Sequence, residues 1–182
     1  MTYDLTITQA CWLIALLFGS FGLDFLLRPR SAQAGLAAFP RHRIAGVVLA
    51  TFALLWAAWL LNTMQLGFLD AYKPTLFFLT PIAIYLVITY LDDLLGPRAL
   101  GGLMMMLPTA LLDASRWHDS SLRYLPIVIA YLFVIFGIWL TLCPFRFRIW
   151  ARPLVDSEAI TRLTGAILTA LAILFVAAAL AL

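Results

Sequence analysis

Charged residues are scarce in this chain. Asp, Glu, Lys and Arg make up 12% of the 182 residues, whereas 64% of the residues are hydrophobic. A soluble domain carries about 25% charged and about 45–50% apolar residues. The low charge therefore excludes a water-soluble globule, and the apolar content excludes a disordered chain. We predict an integral membrane protein.

Cysteine and histidine are also rare. Cys11 and Cys143 form no CxxC motif, and His42 and His118 are too few for a helix bundle that holds haem. Motifs for nucleotide, flavin, iron–sulfur or zinc chemistry are missing as well. The sequence thus predicts no cofactor, no metal site and no catalytic residue. The net charge of +3 does not indicate a nucleic-acid partner, because the basic residues lie between apolar runs.

Six apolar stretches divide the chain. They are residues 10–27, 44–61, 75–91, 99–112, 124–143 and 163–182. Five of them reach the length of ~20 residues that a membrane-spanning helix needs. The fourth has about 14 residues, which rise only about 21 Å, and Pro108 interrupts it. We predict an all-α integral membrane protein, a bundle of six helices with five full spans and one short, Pro-broken fourth segment.

The arginines predict the orientation. Four lie between the first two stretches and four between the last two: Arg28, Arg30, Arg41 and Arg43, then Arg146, Arg148, Arg152 and Arg162. Short loops rich in Lys and Arg stay on the cytoplasmic side. Both loops lie on that side only if the fourth stretch crosses the membrane rather than forming a re-entrant hairpin. We therefore predict a multi-pass protein of the bacterial inner membrane with both termini outside.

An internal repeat is a further prediction. Arg43-x-x-Gly46 and Arg162-x-x-Gly165 each open an apolar helix with Leu and Ala in the same register. The chain then forms one transmembrane domain, residues 1–182, with repeat units at 10–61 and 124–182 and a helix hairpin at 75–112 between them. The alternative is a chance similarity between two helices rich in Leu and Ala.

Asp24 is the most conspicuous polar residue. A carboxylate within a membrane span by default indicates a function, here a proton or substrate site. Arg28 follows four residues later, at the spacing of an acid and a base that pair on one helix face. Asp24 and Arg28 are therefore binding candidates, and the alternative is an ion pair that fixes the depth of the helix in the membrane.

Two polar connections supply the other binding candidates. Asp92, Asp93 and Arg98 lie between the third and fourth stretches, and Arg116 and His118 lie between the fourth and fifth. Two adjacent acids point to different sides of a helix end and do not face one reacting atom. A single histidine is too little for a zinc site. Both connections are interpreted first as structural, with a binding role as the alternative.

The last basic connection alternates arginines with aromatic residues. At the end of a membrane helix this pattern is typical of contact with anionic lipid headgroups. We assign that contact to Arg146, Arg148 and Arg152.

The favoured function is a non-catalytic subunit or assembly partner of a larger membrane complex. Reactive groups are scarce, and Gly19 and Gly22 suit close helix packing. The predicted partners are the lipid bilayer, anionic headgroups, and other membrane subunits or a second copy of the chain. A transporter or channel for a small solute or lipid is the first alternative, and a membrane-embedded enzyme is the second.

Overall fold

The computed structural model describes residues 5–65, 67–90, 94–116 and 120–182, and the regular structure of these residues is helical. The α-helices are α1 (Ile7–Leu27), α2 (Pro29–Ala38), α3 (Arg43–Thr63), α4 (Leu76–Tyr90), α5 (Leu95–Ser115), α6 (Tyr124–Leu142), α7 (Arg146–Asp156) and α8 (Glu158–Ala181). Short 3-10 turns occupy Phe39–Arg41, Gly67–Thr75 and Ser121–Arg123. Among these residues, 6 helical segments are long and apolar enough to cross a membrane. The predicted number of such segments is confirmed.

The prediction of a short, Pro-broken fourth segment is wrong. Helix α5 has 21 residues and continues through Pro108. Pro97 lies in the first turn of α5, where a backbone N–H has no partner within the helix. Pro108 is fully buried, so its ring contributes to packing inside the bundle. The sequence-based limits 99–112 stopped at the polar residues on either side, although the helix extends past them.

Two connections predicted as basic loops are helices. Helix α2 starts with Pro29 at its first position, where the fixed φ of proline suits a helix. In α7, Phe147 packs on Phe39 with ring centroids 5.3 Å apart, and Trp150 meets Trp139 of α6 at 4.0 Å. Helices α2 and α7 also pack against each other. Both basic connections therefore lie at the same end of the bundle, which we call the basic end.

Two glycine crossings hold the bundle together. A Cβ atom added to Gly22 of α1 would lie 2.8 Å from the backbone nitrogen of Thr169 in α8. Likewise, a Cβ added to Gly101 of α5 would lie 2.7 Å from the carbonyl oxygen of Gly137 in α6. Small residues let two helix backbones approach this closely. The pairs α1–α8 and α5–α6 are accordingly the most extensive contacts between helices of the structure.

The arrangement of the helices bears on the repeat without establishing it. Each proposed unit contains a long helix, a short helix and a long helix: α1–α2–α3 and α6–α7–α8. Helix α5 lies between α3 and α6, whereas α1 packs directly on α8, so the two proposed units are in contact through α1 and α8. The repeat stays a prediction.

Helix α4 is peripheral. It packs on α3, and none of its residues is buried. By contrast, α5 has nine buried residues, among them Gly101, Pro108 and Leu111. The packed core is therefore formed by the other long helices.

Candidate functional site: a basic cavity and an apolar groove

The turn before α3 is fixed by a histidine cap. The Nδ1 atom of His42 accepts a hydrogen bond from the backbone N–H of Ala45 at 3.1 Å. Because Nδ1 is an acceptor here, a neutral His42 carries its proton on Nε2. Arg41 and Arg43 flank this histidine in the sequence. The cap therefore fixes the backbone from which both arginines project.

These residues line a cavity of about 470 Å³ at the basic end, which we call the basic cavity. The turn supplies Arg41, His42 and Arg43, while the start of α5 supplies the stretch 94–96. Arg148 of α7 completes the lining. Three arginines, one of them more than 100 positions from the other two in the sequence, thus line one space.

A second cavity of about 320 Å³ shares Arg41 and Arg148 with the first. It also contains Arg152 and Asp156, whose side chains form an ion pair with an Nε–Oδ2 distance of 3.4 Å. Arg152 is therefore neutralised by a residue one turn away, unlike the two arginines that the cavities share.

Neither Arg41 nor Arg148 has a side-chain ion pair or hydrogen bond within the described ranges, and both side chains are exposed. Two guanidinium groups that share one cavity repel each other unless an anion lies between them. These two arginines therefore make the space between them electropositive.

A buried polar contact ties the short helices to α8. Gln33 Nε2 donates a hydrogen bond to the carbonyl oxygen of Leu154 at 2.9 Å and to Thr161 Oγ1 at 3.2 Å. The Thr161 hydroxyl, which is fully buried, donates to the same carbonyl oxygen at 2.6 Å. Sequence reasoning missed Gln33, because its spacing from Leu154 and Thr161 gives no signal of contact.

The start of α8 forms an ion-pair cluster at the same end. Glu158 accepts from Arg162 at 2.7 Å and lies 3.6 Å from Arg30 of α2. Ser157 caps α8 by accepting a hydrogen bond from the N–H of Ile160 at 3.4 Å.

Asp24 lies in the last turn of α1 and Arg28 directly follows the helix, and both are exposed. No ion pair within 4.0 Å joins them in the portion of the chain covered by the structure. Arg28 instead lines a cavity of about 400 Å³ beside Arg30 and Arg162. The expected pairing along the helix is therefore not formed, and Asp24 lies on the outer surface of the bundle.

The other predicted binding residues are dispersed. Asp92, Asp93 and His118 lie outside the described residues. Arg98 lies in the first turn of α5, with its Nε atom enclosed and without a hydrogen-bond partner among the residues that are described. Arg116 is exposed at the opposite end of α5.

The predicted headgroup-contacting arginines differ in their surroundings. The guanidinium of Arg146 lies 5.7 Å from the ring centre of Trp139. Arg152 pairs with Asp156, and Arg148 lines the basic cavity. Arg148 and Arg152 both line a cavity that they share with the first basic connection, and Arg148 lines both of these cavities.

An apolar groove of about 640 Å³ runs between α3 and α4, away from the basic cavity. We call it the α3–α4 groove. Leu55 and Trp59 line it from α3, and Phe77 and Ile84 line it from α4. Ala58 lies within the groove, where its small side chain leaves space between the larger residues.

The structure therefore offers two candidate sites, the basic cavity and the α3–α4 groove. Among the described residues, no group of three or more His, Cys, Asp or Glu side chains is arranged to hold a metal ion. No protein-family model matches the chain, and neither a curated protein nor a solved structure matches it.

Proposed function

We propose that the protein is a non-catalytic subunit of a larger membrane complex and that it binds a partner through the α3–α4 groove. The partner is a single apolar membrane-spanning helix of a different protein. The observation that carries this proposal is α4, a long apolar helix with no buried residue beside an open groove.

The groove has the composition of a helix-binding surface. Association of helices within a membrane depends on close van der Waals packing, and small residues permit that packing. Ala58 and Thr80 are small residues that line the groove together with the larger Trp59 and Phe77. The hydroxyl of Thr80 donates to the carbonyl oxygen of Leu76 at 2.7 Å, so this polar group already has a partner within its own helix.

The exposure of α4 supports the same proposal. Phe77 is 79% exposed and Tyr85 is 68% exposed. Side chains of this size gain dispersion contacts when protein atoms replace mobile lipid chains around them. A partner helix in the groove would cover exposed side chains of α4 that α3 does not contact.

Photo-crosslinking in the native membrane tests this function. A photoreactive residue replaces Phe77 in the groove, and a matched one replaces Tyr131, which is 58% exposed on α6. We expect the probe at position 77 to form one discrete adduct with another membrane protein. The probe at position 131 should yield lipid adducts.

Filling the groove provides the matched control. Ala58→Trp adds bulk inside the groove without changing charge, whereas Ile135→Trp adds bulk at an exposed position of α6. Ala58→Trp should abolish the protein adduct at position 77, and Ile135→Trp should leave it unchanged. Lipid adducts alone at position 77, or an adduct only with a second copy of this chain, would contradict the proposal.

A further inference from the structure

We propose that the basic cavity is a binding site for a phosphate group. The proposal is independent of the α3–α4 groove, since the cavity lies at the basic end and is lined by other residues. Its ligand is a phosphate monoester or diester, which two sources can supply: the headgroup of an anionic lipid or a free phosphate compound.

Charge is the first argument. Arg41 and Arg148 reach the cavity from two separate elements, and neither side chain has an ion-pair or hydrogen-bond partner in the ranges described. An acidic side chain does not line this cavity among those same residues. Placing an anion between the two arginines replaces their repulsion with two attractions, and the effect is largest where water is partly excluded.

The shape of the donors is the second argument. A guanidinium group offers parallel N–H donors that match two oxygen atoms of one phosphate. His42 adds a donor, because its Nδ1 atom is occupied by the N–H of Ala45 and Nε2 carries the proton. These donors come from the turn before α3 and from α7, so a tetrahedral group can be bound from more than one side.

The start of α5 adds to this donor set. Leu95 and Gly96 line the cavity as the first two residues of a 21-residue helix. Within the described part of the chain no side chain caps this end, and Leu94 before it adopts a left-handed conformation with φ of 59°. The first amide groups of a helix have no partner within the helix, and they carry partial positive charge. These amide groups would donate hydrogen bonds to an anion that the arginines attract into the cavity.

Position favours phosphate over a carboxylate ligand. The cavity lies beside α7, whose Trp150 packs with Trp139 and whose arginines alternate with aromatic residues. Aromatic rings and arginines in this arrangement are typical of the depth at which lipid phosphates lie. The volume of about 470 Å³ accommodates a phosphate together with part of its ester group.

The experiment compares two phosphate sources with the full-length protein in nanodiscs. In discs of phosphatidylcholine, inorganic phosphate is titrated and the shift in thermal unfolding is recorded. In discs of equal parts phosphatidylcholine and phosphatidylglycerol, native mass spectrometry counts the phosphatidylglycerol molecules that stay bound. Arg41→Gln/Arg148→Gln is the test variant.

Arg30→Gln/Arg162→Gln is the matched control, because it removes the same charge from the same end of the bundle outside the basic cavity. We expect the test variant to bind at least about tenfold more weakly than the wild type, since it loses two charged hydrogen-bond donors. The control should bind within about twofold of the wild type. Stabilisation by inorganic phosphate identifies a free phosphate ligand, and retention of phosphatidylglycerol without that stabilisation identifies a lipid.

Three results would overturn the proposal: binding of neither probe, equal losses in both arginine variants, or binding only after Asp92→Asn/Asp93→Asn. The last would mean that carboxylates of the chain itself take the place of the phosphate. Circular dichroism and gel filtration of each variant establish that it is folded. Because Ala58→Trp lies outside the cavity, it should leave phosphate binding unchanged, so the two proposals can fail separately.

Discussion

Adjacent glycines in α5 give a sharp test of the packing. A Cβ atom at Gly101 would lie 2.7 Å from the carbonyl oxygen of Gly137 and 2.9 Å from the backbone nitrogen of Thr141. At the next position, Gly102, a Cβ atom would meet no heavy atom within 4 Å outside its own turn of the helix, among the residues with a described structure. Gly101→Ala and Gly102→Ala therefore make the same chemical change in two different surroundings.

The two substitutions are expected to change the free energy of unfolding in opposite directions. Gly101→Ala must separate α5 from α6 by about 0.7 Å to restore ordinary contact, and such overpacking destabilises by about 1–3 kcal/mol. Gly102→Ala adds no contact and lowers the backbone entropy of the unfolded chain, which stabilises a helix by about 0.5–1 kcal/mol. The two variants should therefore differ by about 1.5–4 kcal/mol in free energy of unfolding.

Equilibrium unfolding in mixed micelles with increasing dodecyl sulfate measures this difference. Circular dichroism follows the loss of helix, and crosslinking between α5 and α6 follows the loss of their contact. Equal stability of the two variants would refute the close crossing of α5 and α6. A less stable Gly102→Ala variant would refute the assignment of the two helix faces.

Three further predictions concern topology and polar residues. Single cysteines on a cysteine-free background should be shielded from an impermeant reagent in intact cells at the basic end and labelled at the other end. The shielded pair is Ser31 and Ala159, and the labelled pair is Gln65 and Ser121; the reverse pattern would contradict the orientation. Cys11 and Cys143 are free thiols near opposite ends of the bundle, separated by about 20 Å or more of helix. They should form no disulfide under oxidation, because a bridge requires Cα atoms within about 7 Å; a mobility shift on non-reducing electrophoresis would show otherwise. Asp24→Asn should change the unfolding free energy by no more than about 0.5 kcal/mol, since Asp24 is exposed and forms no ion pair with Arg28. A larger loss in the same unfolding assay would indicate a buried partner.

The spans were predictable because a bilayer imposes a strong constraint on composition and length. A run of about 20 apolar residues signals a helix whatever its neighbours are. The error at the fourth span has a physical origin: polar residues at both ends shortened the predicted stretch, and Pro108, which is unfavourable in an average helix, is packed inside the bundle. Whether a helix continues through a proline therefore depends on the packing around the proline, which the sequence does not show.

The site was less predictable, because it is assembled from distant residues. Arg148 was singled out for its aromatic neighbours, but its place beside Arg41 depends on the packing of α2 against α7. The contact of Gln33 with Thr161 depends on the same packing. Helices α2 and α7 have only 10 and 11 residues, so neither is long enough to be recognised as a membrane span from the sequence.

The most direct test of the proposed function is the mass of the native assembly. The protein is released from its membrane in a mild detergent, purified through a small tag and measured by native mass spectrometry, with Ala58→Trp analysed in parallel. We predict that the wild-type chain of 20.3 kDa is found at fixed stoichiometry with a different membrane protein, and that Ala58→Trp releases it from this complex. A wild-type chain found only alone or only with copies of itself, with the same masses for Ala58→Trp, would contradict the assignment as a subunit.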